Sequence, residues 1–158
     1  MKHLGQRYVQ YVNRSYQRTG TLREGRYRSC LAQSGNYVLT CSRYIELNPV
    51  RAGMVNDPAE YRWSSYRTNA MGLHSRLLQP HQDWLALGGT DSARATAYRQ
   101  LFADALRRTQ LDEIRTATNG GYVLGNQRFA QEIETMLNRR VVPGRPGRRA
   151  KREKTKTF

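Results

Sequence analysis

The stretch "SGNYVLTCSRYIELNPVRAG", residues 34 to 53, constrains this chain more than any other. Tyr37, Cys41, Tyr44 and Asn48 recur at i, i+4, i+7 and i+11, which is one stripe of a helix, and Val38, Ser42 and Ile45 form the stripe beside it. Pro49 then sets a limit, because the residue before a proline is pushed out of α geometry. The helix bearing Tyr44 must therefore close near Asn48. Asn48, Pro49 and Gly53 read as a cap, a first-position proline and a terminating glycine.

Tyr44 and Asn48 leave two readings open on spacing alone. Residues four apart share a helix face, with roughly 5–6 Å between their Cβ atoms. In one reading Tyr44 is a nucleophile and Asn48 lends its amide oxygen to a hard cation. A phenol of pKa about 10 attacks poorly at neutral pH without such a cation. In the other, Tyr44 packs and Asn48 caps, a role that stabilises a helix by about 1 kcal/mol. One amide cannot hold Mg²⁺ alone, and Glu46, two residues from Tyr44, points away from it.

Around this segment, "MKHLGQRYVQYVNRSYQR" reads as an amphipathic helix whose Leu4, Tyr8, Tyr11 and Val12 recur at helical spacing. Burial is the expectation for Tyr8 and Tyr11. Residues 25 to 32 read as a turn and a strand. "DPAEYRWSSYR" opens a short helix with Asp57 as cap, Pro58 in first position and Glu60 three after the cap, and Trp63 and Tyr66 are read as core beneath it. "TDSARATAYRQLFADALRR" reads as a helix. "LDEIRTATNGGYVLGNQRFAQEIETMLNRR" reads as helix, Gly-rich turn and helix, the last burying Phe129, Ile133, Met136 and Leu137. Residues 139 to 158 are too rich in Arg, Lys, Pro and Gly to offset their ordering entropy, and read as a disordered basic tail.

Charge narrows the partner. The chain has 158 residues and a formal net charge of +15. Residues 1–67 hold 11 basic and 4 acidic side chains, residues 68–138 hold 7 of each, and residues 139–158 hold 9 and 1. Two basic regions flank a neutral middle. Arg outnumbers Lys by 23 to 4, and the planar guanidinium fork matches phosphate. A polyanion, nucleic acid first, is the expected partner. Arg14, Arg18, Arg26 and Arg28 interleave with tyrosines in the manner of a single-strand groove. Asn126, Gln127 and Arg128 stand at a helix start where amides and Arg can reach bases or phosphates. Arg148 and Arg149 belong to the tail, which adds salt-sensitive affinity. Only Cys30 and Cys41 are present, with no CxxC pair for zinc, so a reduced, cytoplasmic protein is the plain reading. No apolar run approaches the roughly 20 residues of a membrane span, and no membrane partner is expected.

Four blocks in order, "LGQRYVQYVNRSYQRTGTLREGRYRS", "YIELNPVRAGMVNDPAEYRWSSY", "LLQPHQDWLALG" and "LDEIRTATNGGYVLGNQRF", resemble the REP-associated tyrosine transposases, single-tyrosine enzymes of the HUH class. The resemblance covers most of residues 3 to 137, and Tyr44 to Tyr66 is its most specific part. It implies an α+β fold: the C-terminal part of a ferredoxin-like catalytic domain over residues 1–67, a helical region over 68–138 and the basic tail over 139–158. It also implies Tyr44 as the nucleophile that forms a 5′-phosphotyrosine, Asn48 as a metal ligand, Mg²⁺ or Mn²⁺ as cofactor, and single-stranded hairpin DNA as partner. One departure is large. His3, His74 and His81 are the only histidines and none has the His–x–His spacing that the family uses for its metal. The expectation is a DNA-binding chain that does not cut alone. The alternatives are a subunit completed by another chain or an upstream start, and a domesticated nucleic-acid-binding module. Oligomeric state is not legible.

Overall fold

The helix carrying the Tyr37–Cys41–Tyr44 stripe is Asn36–Glu46, and it closes just short of the Asn–Pro pair, although Asn48 before the proline is itself helical and so escapes the pre-proline restriction. The structure, a computed structural model, describes residues 2–22 and 28–144. Among them, α1 is Lys2–Ser15, α2 is Asn36–Glu46, α3 is Asn48–Arg51 and α4 is Tyr66–Met71. Then come α5 (Gln82–Leu85), α6 (Asp91–Gln100), α7 (Arg108–Gly120) and α8 (Gln127–Leu137), with a 3₁₀ turn at Pro58–Glu60.

The α2–α3 junction differs from the capped stop that the sequence suggests. Leu47, at φ −84° and ψ −6°, holds the linking position, and Asn48 is already the first residue of α3. Pro49 takes its place in the first turn, where its missing N–H has no helical partner to lose. Gly53 ends the unit at φ 67°, the left-handed region glycine tolerates. The Asn48 side chain is thereby released from capping.

The α+β, ferredoxin-like expectation is overturned. The described residues are helical and contain no sheet. Extended pairing is limited to a parallel bridge between Ala32 and Leu124, supported by Gln33 N–H to Leu124 O and Leu124 N–H to Leu31 O, both 2.8 Å. Val123 N–H adds a bond to Val141 O at 2.9 Å. The reason is length. The partner segment is clipped by Gly121, at φ 63°, on one side and by the α8 N-cap Asn126 on the other. The few residues between fall short of an ordinary strand, and one bridge does not make a ladder. Residues 25–27, the start of the stretch read as turn and strand, lie outside the described residues.

Two apolar clusters share α2. One gathers Tyr66, Ala70, Trp84 and Tyr98, with Leu39, Leu101 and Phe102 packed on it. Here Tyr66 meets Phe102 edge to face, with centroids 4.9 Å apart, a geometry aromatic pairs favour. The other gathers Ile114, Ala117 and Leu124, with Tyr37, Cys41 and Tyr44 of the α2 stripe against it. That stripe faces α7, so the periodicity reports a real interface. Leu39, on the opposite face, packs on the first cluster, and Glu46 accepts a hydrogen bond from its Tyr98.

Several core expectations fail. α1 forms as the amphipathic pattern predicts, yet it has no buried residue, and Tyr8 and Tyr11 are exposed. Trp63 is 74 % exposed, with the Arg62 guanidinium 4.3 Å from its ring centroid. The cause is local: the Asp57 cap opens only a three-residue turn, and α4 begins at Tyr66, so no helix passes beneath Trp63. In α8 the buried residue is Ala130, whereas Met136 and Leu137 are exposed. The "TDSARATAYRQLFADALRR" helix stops at Gln100.

Candidate functional site

Tyr44 and Asn48 are brought together, and a third residue completes the group. Arg51 Nη2 donates to the Tyr44 carbonyl oxygen at 2.6 Å and also donates to Asn48 Oδ1. Its guanidinium carbon lies 4.5 Å from the Tyr44 ring centroid, a cation–π distance. The Tyr44 ring is half-buried against the Ile114–Ala117–Leu124 cluster. Arg51 thus ties the end of α2 to the start of α3 and covers the tyrosine face.

Burial lowers the Arg51 pKa; a Tyr44 phenolate would oppose that shift, and the nearby Arg115 guanidinium reinforces it. Arg115 is half-exposed, and its Nη1 is 3.8 Å from Asp112 Oδ1, too long for a hydrogen bond. Arg51 escaped sequence reasoning, although its spacing carried a signal: it lies seven residues after Tyr44 and three after Asn48, on the same helical face.

Whether these side chains suit the Mg²⁺ or Mn²⁺ that the resemblance implies can be tested on the donors. The Asn48 oxygen is taken by a guanidinium. Among the described residues no three His, Cys, Asp or Glu stand together as a metal group. His3 and His74 are exposed. His81 is the α5 N-cap, its Nδ1 accepting from Asp83 N–H at 3.2 Å. Hard divalent cations take oxygen ligands, usually including carboxylates, and are repelled by cations. The described donor set does not fit one.

Glu46 is fully buried on the far side of α2 from Tyr44. It accepts from Ser65 Oγ at 2.5 Å, Tyr98 Oη at 3.0 Å and Asn69 Nδ2 at 3.3 Å. Burial pushes its carboxyl above the ordinary range, and these three bonds oppose the shift.

The predicted DNA-contacting arginines are scattered. Arg14 is exposed near the end of α1, and Arg18 is exposed in the turn after it. Arg28 is exposed and donates to Asn119 Oδ1 at 2.7 Å. Arg128 is exposed and pairs with Glu132 at 3.0 Å one turn on. Arg26, Arg148 and Arg149 lie outside the described residues. Four other arginines are structural staples: Arg43, Arg67, Arg94 and Arg99 donate to the carbonyl oxygens of Asp104, Ala59, Leu85 and Ala70. An open cleft of about 510 Å³ beside α7 is lined by Asp112 and Glu113 as well as Tyr37 and Tyr122. Its carboxylates make it a poor seat for phosphate.

No family model, curated protein or solved structure matches this chain. No described helix is long and apolar enough to cross a membrane.

Proposed function

We propose that this chain is a DNA-binding protein of the tyrosine-transposase kind, which engages single-stranded hairpin DNA and does not cut it unaided. The observation that carries the reading is the Tyr44–Asn48–Arg51 group, a phenol beside an anchored guanidinium in a chain of net charge +15. Guanidinium groups and aromatic faces are the parts that single-strand grooves use for phosphates and bases. Cleavage would ask more of the site. A phenolate attacking a phosphodiester needs its charge, or the phosphate's, neutralised by a cation. The donors for a divalent ion are not gathered around Tyr44 in these residues.

Titration with hairpin DNA at rising salt tests binding. A salt-dependent affinity supports the reading, and no affinity even near 20 mM salt, where phosphate contacts are strongest, removes it. Incubation with hairpin DNA and Mn²⁺, followed by denaturing electrophoresis, tests cleavage. A covalent adduct that disappears in Tyr44→Phe overturns the statement that the chain does not cut alone.

A further inference from the structure

We propose that the open cleft beside α7 is a docking site for the basic stretch of this same chain, residues 145–158, whose arginines it takes by carboxylate and aromatic contacts. The proposal stands apart from the nucleic-acid reading and does not rest on it.

The cleft has two kinds of lining. Thr109, Asp112, Glu113 and Thr116 fall at i, i+3, i+4 and i+7 of α7, a single helix face. Tyr37 of α2 and Tyr122, just past the end of α7, supply aromatic surface. Both tyrosines are fixed by packing on the Ile114–Ala117–Leu124 cluster, and ring carbons of Tyr122 occupy the space that a Cβ on Gly120 would need. The enclosed space of about 510 Å³ is of ligand-pocket size. Asp112 meets Arg115 at 3.8 Å, and Glu113 has no ion pair among the described residues. A carboxylate accepts the guanidinium fork in two parallel bonds, and an aromatic face attracts its charge. The cleft therefore suits arginine for the reason that it repels phosphate.

The course of the chain names the occupant. Val141 is 1 % exposed, and its carbonyl accepts from Val123 N–H at 2.9 Å. That anchor brings Pro143 into the cleft lining. The Arg140 guanidinium then lies against Gly144, closer than any Cβ would permit. Residues 145–158 follow directly, with seven Arg or Lys and one Glu. Arg148 is four residues beyond Gly144, a reach of up to ~14 Å. A segment tethered so closely meets the cleft at an effective concentration on the order of millimolar. A free cationic peptide, or the same stretch of a second copy, has no such advantage. While docked, these side chains are withheld from an outside polyanion, and that consequence alone draws on the nucleic-acid reading.

The test uses the full chain and the ring signals of its tyrosines in NMR spectra. The variant Arg145→Ser/Arg148→Ser/Arg149→Ser/Lys151→Ser should shift the Tyr37 and Tyr122 signals and leave those of Tyr98, which belongs to the other cluster, in place. Asp112 and Glu113 are exposed, so Asp112→Asn/Glu113→Gln spares the core. In that background the same serine substitutions should no longer move the two rings, because contacting residues couple and independent ones add. Carbodiimide, which joins lysine amines to carboxylates, should link Asp112 or Glu113 to Lys151, Lys154 or Lys156. In an equal mixture of light and heavy-isotope chains, those links should lie within one chain.

Ring signals that ignore the serine substitutions, or that move equally in the Asp112→Asn/Glu113→Gln background, overturn the docking site. Links that mostly join light to heavy chains overturn the assignment to the same chain and give the cleft to a second copy. Ring shifts as expected in a chain that binds no hairpin DNA keep the docking site and remove the nucleic-acid reading.

Discussion

Tyr98 donates its hydroxyl to Glu46 Oε2 at 3.0 Å, joining α6 to the face of α2 opposite Tyr44. Glu46 has no exposed surface. Its donors are neutral, so the carboxylate lacks a counter-charge among its hydrogen-bond partners. Burying an unpaired charge is costly even when it is hydrogen-bonded. The cost appears as the raised carboxyl pKa, caused first by desolvation.

That shift has a sign. With its native pKa raised above the ordinary value of 4.5, Glu46 binds more protons in the folded chain than in the unfolded one between the two values. Its contribution to stability therefore falls as pH rises through that window, and the penalty is complete above the native pKa. Glu46→Gln should raise stability at neutral pH and remove this part of the pH dependence. Urea denaturation of both proteins across the acid-to-neutral range measures it. A wild-type and variant pair with the same difference at every pH would show that Glu46 does not titrate in this way.

Tyr98→Phe removes one donor from the buried carboxylate and leaves the ring packing against Phe102, 5.4 Å away between centroids. The expected loss is about 1–3 kcal/mol, the cost of a buried polar partner left short of a bond. In the Glu46→Gln background the loss should shrink, since a neutral amide suffers less from the missing donor. Equal losses in both backgrounds would mean that the hydroxyl acts elsewhere.

The helices were legible because their signals are local, whereas the pairings were not. The α2 stripe, the end of its helix near Asn48 and the Gly-rich turn before α8 each act within a few residues, and all three recur in the structure. The strand reading near residue 30 rested on composition, but a strand exists only with a partner of adequate length. The segment beside Leu124 is too short to be one. Trp63 and Met136 show that apolar bulk predicts burial only when the neighbouring turn forms and faces a core. At the site, Tyr44 and Asn48 were readable from a four-residue spacing. The donor role of Arg51 was readable in principle from the same face, while the Glu46–Tyr98 bond, 52 residues apart in sequence, was not.

Cys41 belongs to the α2 stripe, and its thiol is pushed up from 9.0 to about 11, chiefly by burial and secondarily by Cys30. Such a shift leaves about a hundredfold less thiolate at neutral pH than an exposed cysteine has. Alkylation by iodoacetamide should therefore be slow at Cys41 in the folded chain and accelerate in urea, as mass spectrometry of the labelled peptide would record. Labelling in native buffer as fast as in urea would contradict the packing assigned to the α2–α7 interface.

Adjacent glycines before α6 offer a paired test of the first cluster. A Cβ on Gly88 would lie 2.9 Å from Ala93 Cβ and 3.1 Å from the Arg94 backbone nitrogen, whereas one on Gly89 would meet nothing within 4 Å. The Gly88 contact is with the first turn of α6, which Thr90 caps through Ala93 N–H and which Arg94 ties to Leu85 O. Neither Ala93 nor the Arg94 nitrogen is the end of a flexible side chain, so α6 itself must shift, and it carries Tyr98. Gly88→Ala should cost about 1–3 kcal/mol by overpacking. Gly89→Ala should be neutral or stabilising by up to about 1 kcal/mol, through the entropy of the unfolded chain. Thermal denaturation of the two variants side by side reads the difference. Equal melting temperatures would mean that α6 does not rest on the Gly88 turn.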